Sequence, residues 1–207
     1  NQINNKACYF FKRLKYFLVY VLPIVVYISF TSKGLLTFLP FILFFGIVPI
    51  LEIFFKADSS NFDKETAKLE NENKIYSWIL YGTIPIQLSM LIFFFYAIQE
   101  SLTVTEYIGR ISSMGLMCGV LGINVGHELG HRANKVEVFL GELMLLTSLN
   151  THFLPYHNGG HHFNVATHKD AATARKNEPL YFFKKGKNPF SYILYSSRSL
   201  IDRFTTI

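Results

Sequence analysis

The chain has 207 residues, of which 50% are hydrophobic and 16% are charged, and its formal net charge is +6. A soluble domain usually carries about 25% charged residues, so this composition favours a membrane protein. The positive charge is not gathered into one continuous basic arm, and we therefore expect no nucleic-acid partner. Two cysteines, Cys8 and Cys118, are too few for a disulfide framework.

Four apolar blocks approach the ~20-residue length that a membrane-spanning helix needs. They cover approximately residues 16–31, 35–55, 75–99 and 107–126, and residues 136–150 are a candidate for a further membrane-embedded helix. We therefore predict an all-α, polytopic bundle that forms a single membrane domain over residues 1–207. Because the chain begins with Asn rather than Met and stops within an apolar, basic stretch, we expect it to be the N-terminal part of a longer protein.

Basic residues indicate the topology of these spans. Lysine and arginine concentrate before the first block and between the second and the third, which places both regions in the cytoplasm by the positive-inside bias. Four alternating spans then return the chain to the cytoplasmic side near Val125. All seven histidines lie between His127 and His168, after that point.

The histidines form two clusters within residues 127–176. The first cluster, HELGH, directly continues an apolar helix and places His127 and His131 on one helical face. The second cluster, YHNGGHH, contains His157, His161 and His162, and its two glycines permit a close approach of the backbone. This arrangement predicts a histidine-rich metal site on the cytoplasmic side of the bundle.

The motif HExxH alone would also fit a zinc protease, in which Glu128 is the general base. A catalytic zinc normally has three protein ligands and a water molecule, whereas at least five histidines are available here. Five or more imidazoles fit two metal ions better. By ligand type alone, such a site accepts iron, copper, nickel or zinc.

The two clusters together resemble the histidine boxes of membrane desaturases and hydroxylases. Within that superfamily, HELGHR and HFLPYHNGGHHFNVATHKDAATAR resemble the alkane 1-monooxygenase patterns HELGHK and HFxxEHxxGHHxxVATPxDPATAR. Residues 46–61, GIVPILEIFFKADSSN, resemble the family segment that closes the second span. The chain departs from the pattern at Tyr156, where the family has Glu, and at His168 and Ala171, where it has Pro.

The resemblance implies a di-iron monooxygenase that uses O2 to hydroxylate the terminal carbon of linear alkanes. Rubredoxin and rubredoxin reductase would supply the electrons, and the enzyme would lie in the bacterial inner membrane, surrounded by lipid, with its metal site facing the cytoplasm. The resemblance also implies five iron ligands: His127, His131, His157, His161 and His162. The remaining ligands would follow residue 207, so we expect this chain alone to be inactive.

Four further residues are candidates for hydrogen bonding around the ligands: Glu128, His152, His168 and Asp170. Tyr156 could accept a hydrogen bond but lacks the charge of the family Glu. Phe44 lies midway along the second block, just before Gly46, and is a candidate to line a hydrocarbon channel and limit the accepted chain length. Phenylalanines in such blocks more often face lipid or a neighbouring helix.

Three alternatives stay open. The first is a related membrane hydroxylase or desaturase that acts on acyl chains or aromatic methyl groups, and a substrate panel would distinguish it. The second is a membrane zinc metalloprotease, which metal analysis would reveal. The third is a metal-binding or structural membrane protein without enzymatic activity.

Overall fold

The computed structural model describes residues 13–55, 64–167 and 170, and within the helix at 64–71 it does not describe the side chains of residues 65, 69 and 71. The described residues form helices and no strand, which confirms the predicted all-α class. We label the helices in these ranges as α1 (Lys15–Thr31), α2 (Gly34–Phe54), α3 (Lys64–Asn71), α4 (Ile75–Ala97), α5 (Val104–Gly130), α6 (Lys135–Leu146) and α7 (153–164).

Three of these helices, α2, α4 and α5, are long and apolar enough to cross a membrane, with 21, 23 and 27 residues. Helix α1 is also apolar but shorter. Helix α6 has 12 residues, which corresponds to ~18 Å at 1.5 Å per residue. This length is less than the ~30 Å hydrocarbon core of a bilayer. Large apolar side chains such as Ile53 and Trp78 are exposed, as expected for surfaces that contact lipid.

Three of the described helices contain π-helical segments, in which the backbone is wider than in an α-helix. These segments are Ile42–Ile47 in α2, Cys118–Ile123 in α5 and His157–His161 in α7. Pro40 and Pro49 lie on either side of the first segment and lack the backbone donor that a regular helix uses. A π-helical turn changes which side chains share a face, and such turns are frequent at functional sites.

The described residues belong to two compact units, Asn1–Val125 and Gly126–Ile207. In the first unit, α1 packs against α4 through aromatic rings. Tyr27 stacks on Phe93 with ring centroids 5.5 Å apart, and Phe30 lies 5.6 Å from Phe94. Of these rings, Phe30 is buried together with Val26 and belongs to the apolar core of this unit.

A buried arginine joins the ends of three helices of the first unit, and we call this group the Arg110 network. Arg110 is 1% exposed. Its Nη1 atom donates to the carbonyl oxygen of Ala97 at 2.6 Å and to Oε2 of Glu100 at 2.9 Å, and Nη2 donates to the carbonyl oxygen of Ser32 at 3.2 Å. The guanidinium therefore satisfies carbonyl groups at or just after the C-terminal ends of α1 and α4, which helices leave without partners.

The N-terminal end of α5 is fixed by a capping box. Oγ1 of Thr103 accepts from the backbone N–H of Glu106, and Oε2 of Glu106 accepts from the backbone N–H of Thr103 at 2.9 Å. The other carboxylate oxygen of Glu106 accepts from the backbone N–H of Gly34, also at 2.9 Å. One side chain therefore begins α5 and holds the start of α2.

Helix α3 is tied to the N-terminal end of α1 and to α4 through a buried carboxylate. Glu70 forms a two-point ion pair with Arg13 and accepts from the hydroxyl of Tyr76 at 2.6 Å. The Arg13 guanidinium lowers the pKa of Glu70 below its usual value, since its hydrogen bonds favour the charged form. Glu70 is therefore ionised at neutral pH.

Candidate metal centre

The end of α5 carries the first pair of histidines. His127 and His131 are one helical turn apart, and their Nε2 atoms lie 2.8 Å from each other. The sequence spacing therefore places both rings on one face, as predicted from HELGH.

Helix α7 carries the other three histidines. Nε2 of His157 lies 2.7 Å from Nε2 of His127 and 3.0 Å from Nε2 of His162. The ring of His161 stacks beside that of His157, with centroids 5.3 Å apart and planes inclined by 24°. The structure thus brings together all five histidines of the two boxes, which we call the histidine cluster.

Hydrogen bonding alone cannot satisfy the four Nε2 atoms that face one another in this cluster. Each imidazole nitrogen has a single in-plane site, which holds either a proton or a lone pair. Nε2 of His127 faces two other Nε2 atoms, and so does Nε2 of His157. A single proton or lone pair cannot point at both neighbours, whereas a cation among them accepts all the lone pairs.

The electrostatics of His157 also favour a neutral ring. Burial and the neighbouring His127, His162, His131 and His161 together lower the pKa of His157 to about 4. The ring is therefore neutral near pH 7 and keeps a lone pair on one nitrogen, which is the form that binds a metal ion.

The spacing of the nitrogens fits shared coordination. Two imidazole nitrogens bonded to one ion at ~2.0–2.1 Å and at right angles lie about 2.9 Å apart. The observed separations are 2.7, 2.8 and 3.0 Å. One ligand atom from each of His127, His131 and His157 lies within 4.8 Å of the others. The residues present thus fit a metal centre with imidazole donors.

Close packing of α6 against the last turns of α5 holds the first pair in place. A Cβ atom added to Gly126 would lie 2.8 Å from the carbonyl oxygen of Gly141, and one added to Gly141 would lie 2.8 Å from that of Gly126. Only hydrogen atoms fit at both positions, so the two backbones touch. Leu129, Met144 and Leu145 are fully buried around this contact.

Two contacts join α7 to the end of α5. A Cβ atom added to Gly130 would overlap Leu154, so Leu154 packs directly on the backbone there. The side-chain amide of Asn158 donates to the carbonyl oxygen of Gly130 at 3.3 Å. That carbonyl lies in the last turn of α5, where helix carbonyls lack partners. These contacts align the second box with the first.

Sequence reasoning did not identify Phe153, which packs against two histidines. Its ring stacks on His157 with centroids 4.8 Å apart and an interplanar angle of 16°, and it meets His127 edge-on at 5.5 Å. Phe153 precedes His157 by four residues, so a helical reading of the segment would have placed both rings on one face. The phenylalanine restricts the rotation of the central histidine.

The structure places the other predicted residues as follows. The carboxylate of Glu128 accepts from Arg132 at 3.0 Å, and among the described residues no hydrogen bond joins it to a histidine ring. His152 precedes α7, and no ring contact or hydrogen bond with a described residue joins its side chain to the cluster. Nδ1 of His161 lies 2.8 Å from Oδ2 of Asp170. His168 lies outside the described residues.

Two further predicted positions can be described. Phe44 lies half-buried in the π-helical segment of α2. Tyr156 is half-buried in α7, and its ring would contact a Cβ atom added to Gly160 at 3.4 Å. The phenol thus stands one residue before His157, in the place where the resembling pattern has a carboxylate.

The helices and the histidine cluster define an all-α membrane protein whose candidate site offers imidazole nitrogens. Its sequence is 32% identical to alkane 1-monooxygenase 1 of Alcanivorax borkumensis over 152 residues, which are 73% of this chain and 37% of the relative. The chain belongs to the alkane 1-monooxygenase family.

Two further alkane 1-monooxygenases match the chain with a similar identity and coverage. The chain is 32% identical to an alkane 1-monooxygenase of Ectopseudomonas oleovorans over 165 residues, or 79% of this chain and 41% of the relative. It is 29% identical to one of Pseudomonas putida over 163 residues, or 78% and 40%. The chain thus spans about two fifths of the length of these relatives. No family model matches the chain.

Proposed function

We propose that the complete protein is a di-iron alkane monooxygenase that hydroxylates the terminal carbon of linear alkanes. The observation that carries this proposal is the row of four Nε2 atoms, which hydrogen bonding cannot satisfy and metal coordination can. Imidazole donors accept several transition metals. Membership of the alkane 1-monooxygenase family supports iron, O2 and an alkane substrate.

In this proposal the histidine cluster holds iron through His127, His131, His157, His161 and His162, with further ligands from the remainder of the protein. Bound iron would supply the redox chemistry that activates O2. The overall reaction consumes an alkane, O2, two electrons and two protons, and it yields a primary alcohol and water. Rubredoxin, reduced by its reductase, is the proposed electron donor.

The residues of this chain have three tasks in the proposed reaction. The neutral His157 ring offers its lone pair, and Phe153 limits the rotation of that ring. The contact between Gly126 and Gly141 fixes the turn that carries His127. The exposed apolar surfaces of the spanning helices allow a hydrocarbon to enter from lipid. We further propose that the metal site faces the cytoplasm, because basic residues precede α1 and surround α3.

The test uses the complete protein in nanodiscs, supplied with reduced rubredoxin and with alkanes from octane to hexadecane. We expect about two irons per chain, O2 consumption that requires an alkane, and 1-alkanols as products. Zinc near one equivalent without O2 consumption would contradict the proposal and indicate the protease. Products from acyl chains or aromatic methyl groups only would indicate the related hydroxylase or desaturase.

The same panel tests the proposed channel residue. Phe44→Ala removes a ring from the π-helical segment of α2, and if that ring limits the substrate, longer alkanes become better substrates. An unchanged profile of accepted chain lengths would remove Phe44 from the proposed channel.

A further inference from the structure

His161 makes its hydrogen-bonding contact through a different ring nitrogen from the other four histidines of the cluster. The other four rings meet through their Nε2 atoms. His161 instead places Nδ1 at 2.8 Å from Oδ2 of Asp170. Among the contacts between described residues, this is the only one in which a carboxylate meets a histidine of the cluster.

We propose that Asp170 is a positioning residue for the metal centre, which orients His161 and selects the tautomer that binds metal. In this proposal Asp170 is ionised and can only accept hydrogen bonds, so the proton of His161 is on Nδ1. The lone pair then resides on Nε2. Asp170 thereby makes the fifth histidine present the same atom as the other four. This inference rests on the proposed function, because it concerns how the histidine cluster would hold iron.

The burial of Asp170 supports this role. Its side chain is 1% exposed, whereas the side chain of His161 is 24% exposed. Burying a carboxylate is costly unless hydrogen bonds or a charge compensate for the lost water. The contact with Nδ1 supplies one such hydrogen bond, and a metal ion bound through Nε2 would strengthen it by increasing the acidity of the N–H group.

The chain folds back on itself to bring Asp170 to His161. The side chain of Asn164 donates to the carbonyl oxygen of Gly160 at 2.9 Å. The backbone N–H of Thr167 donates to the carbonyl oxygen of Asn164 at 3.0 Å. The backbone N–H of Asp170 then donates to the carbonyl oxygen of Thr167 at 3.3 Å. These contacts bring Asp170 back towards the second box.

One residue in this return is in an unfavourable backbone conformation. Ala166 has a φ of 65°, in the left-handed region that residues with a Cβ atom rarely adopt. A strained residue persists where the surrounding contacts determine its conformation, and such residues concentrate at functional sites. The strain at Ala166 is consistent with a turn that exists to place Asp170.

The experiment measures iron affinity of the complete protein by competition with a chelator, together with the Mössbauer spectrum of the bound iron. We compare Asp170→Ala and Asp170→Asn with wild type. Loss of an outer hydrogen-bonding partner typically weakens metal binding roughly 10- to 100-fold, and we expect this range for Asp170→Ala. Asp170→Asn keeps an acceptor oxygen but no charge, so we expect a smaller loss and an altered quadrupole splitting of the bound iron.

A double-mutant cycle separates positioning from a general structural role. If Asp170 acts through His161, then Asp170→Asn should weaken iron binding much less in a His161→Gln background than in wild type. Equal losses in both backgrounds would overturn the inference. Asp170→Asn has nearly the same size as wild type and carries the test if the alanine variant does not fold.

A matched control is Glu70→Gln, which neutralises another buried carboxylate outside the histidine cluster. We expect it to leave iron affinity unchanged. A wild-type protein without iron would overturn both the proposed function and this inference. A wild type that binds iron, alongside Asp170 variants with the same affinity and spectrum, would overturn this inference alone.

Discussion

The Arg110 network and the histidine cluster are both groups of polar side chains in a largely apolar protein, but they differ in how their atoms are paired. In the Arg110 network, the two Nη atoms of Arg110 donate to carbonyl and carboxylate oxygens, so these donors meet acceptors. In the histidine cluster, nitrogens of the same type meet one another. Matched pairs stabilise a fold by themselves, whereas the facing nitrogens have the arrangement of a group that could hold a cation. Pairing chemistry therefore distinguishes a structural group from a candidate site.

The largest expected effect comes from removing the centre of the histidine cluster. Nε2 of His157 meets both His127 and His162, so His157→Ala removes a ligand and separates its neighbours. We expect a loss of alkane hydroxylation greater than the roughly 10- to 100-fold that follows loss of an outer partner. Iron per chain and 1-octanol formation by the complete protein measure this effect.

Phe163→Ala is the control for this variant, because it also removes an aromatic ring from α7. Phe163 is 86% exposed and lies next to the second box in sequence. We expect its iron content and product formation to match those of wild type. Full iron content in His157→Ala would contradict the assignment of His157 as a ligand.

We expect a substitution in the Arg110 network to have an intermediate effect. It should lower the free energy of unfolding and leave metal binding unchanged. Arg110→Met leaves the carbonyl oxygens of Ala97 and Ser32 without their donor, and each buried acceptor without a partner costs about 1–3 kcal/mol. We expect the free energy of unfolding in mixed micelles to fall by about 2–4 kcal/mol. Iron per folded chain should stay unchanged.

Glu100→Gln tests whether the charge of the ion-pair partner matters for the same network. The side chain of Glu100 is 60% exposed, so water solvates it in either form, and we expect a change below about 1 kcal/mol. A large effect of Glu100→Gln with no effect of Arg110→Met would show that the buried carbonyl contacts contribute little.

Sequence patterns predicted the helices and the shared face of the first two histidines, because both depend on composition and on residues that are close in sequence. The apolar blocks predicted helices, and the four-residue spacing of His127 and His131 predicted a shared face. The metal-binding role of the histidines stays a prediction. The burial of Arg110 could not be predicted, since an arginine at the start of an apolar block is usually read as a headgroup contact. Its partners at Ser32 and Ala97 are distant in sequence, and only the packed helices bring them together.

The contact between Asp170 and His161 was partly accessible from the sequence. Asp170 was a candidate for hydrogen bonding around the ligands, but the sequence did not show that its partner is His161, because this contact forms only in the folded chain. The π-helical segments were not predicted, because their sequences contain ordinary helix-forming apolar residues. Backbone conformations that depend on tertiary packing leave no periodic pattern in the sequence.

A stability effect slightly smaller than that of Arg110→Met is expected for one of two glycines that both lie in helices but differ in their surroundings. Gly141→Ala would place a Cβ atom 2.8 Å from the carbonyl oxygen of Gly126 and 3.1 Å from the backbone nitrogen of Gly130. Neither backbone atom can rotate away, so α6 must shift from α5. Overpacking of this kind typically costs about 1–3 kcal/mol.

The control is Gly115→Ala, which is also in a helix, meets no atom within 4 Å and should gain up to ~1 kcal/mol from helix propensity. The change in the free energy of unfolding in mixed micelles should therefore have opposite signs in the two variants. Because that approach holds the turn carrying His127, Gly141→Ala should also lower the iron retained per folded chain, whereas Gly115→Ala should not. Equal stability of both variants would show that the backbones of α5 and α6 are not in contact.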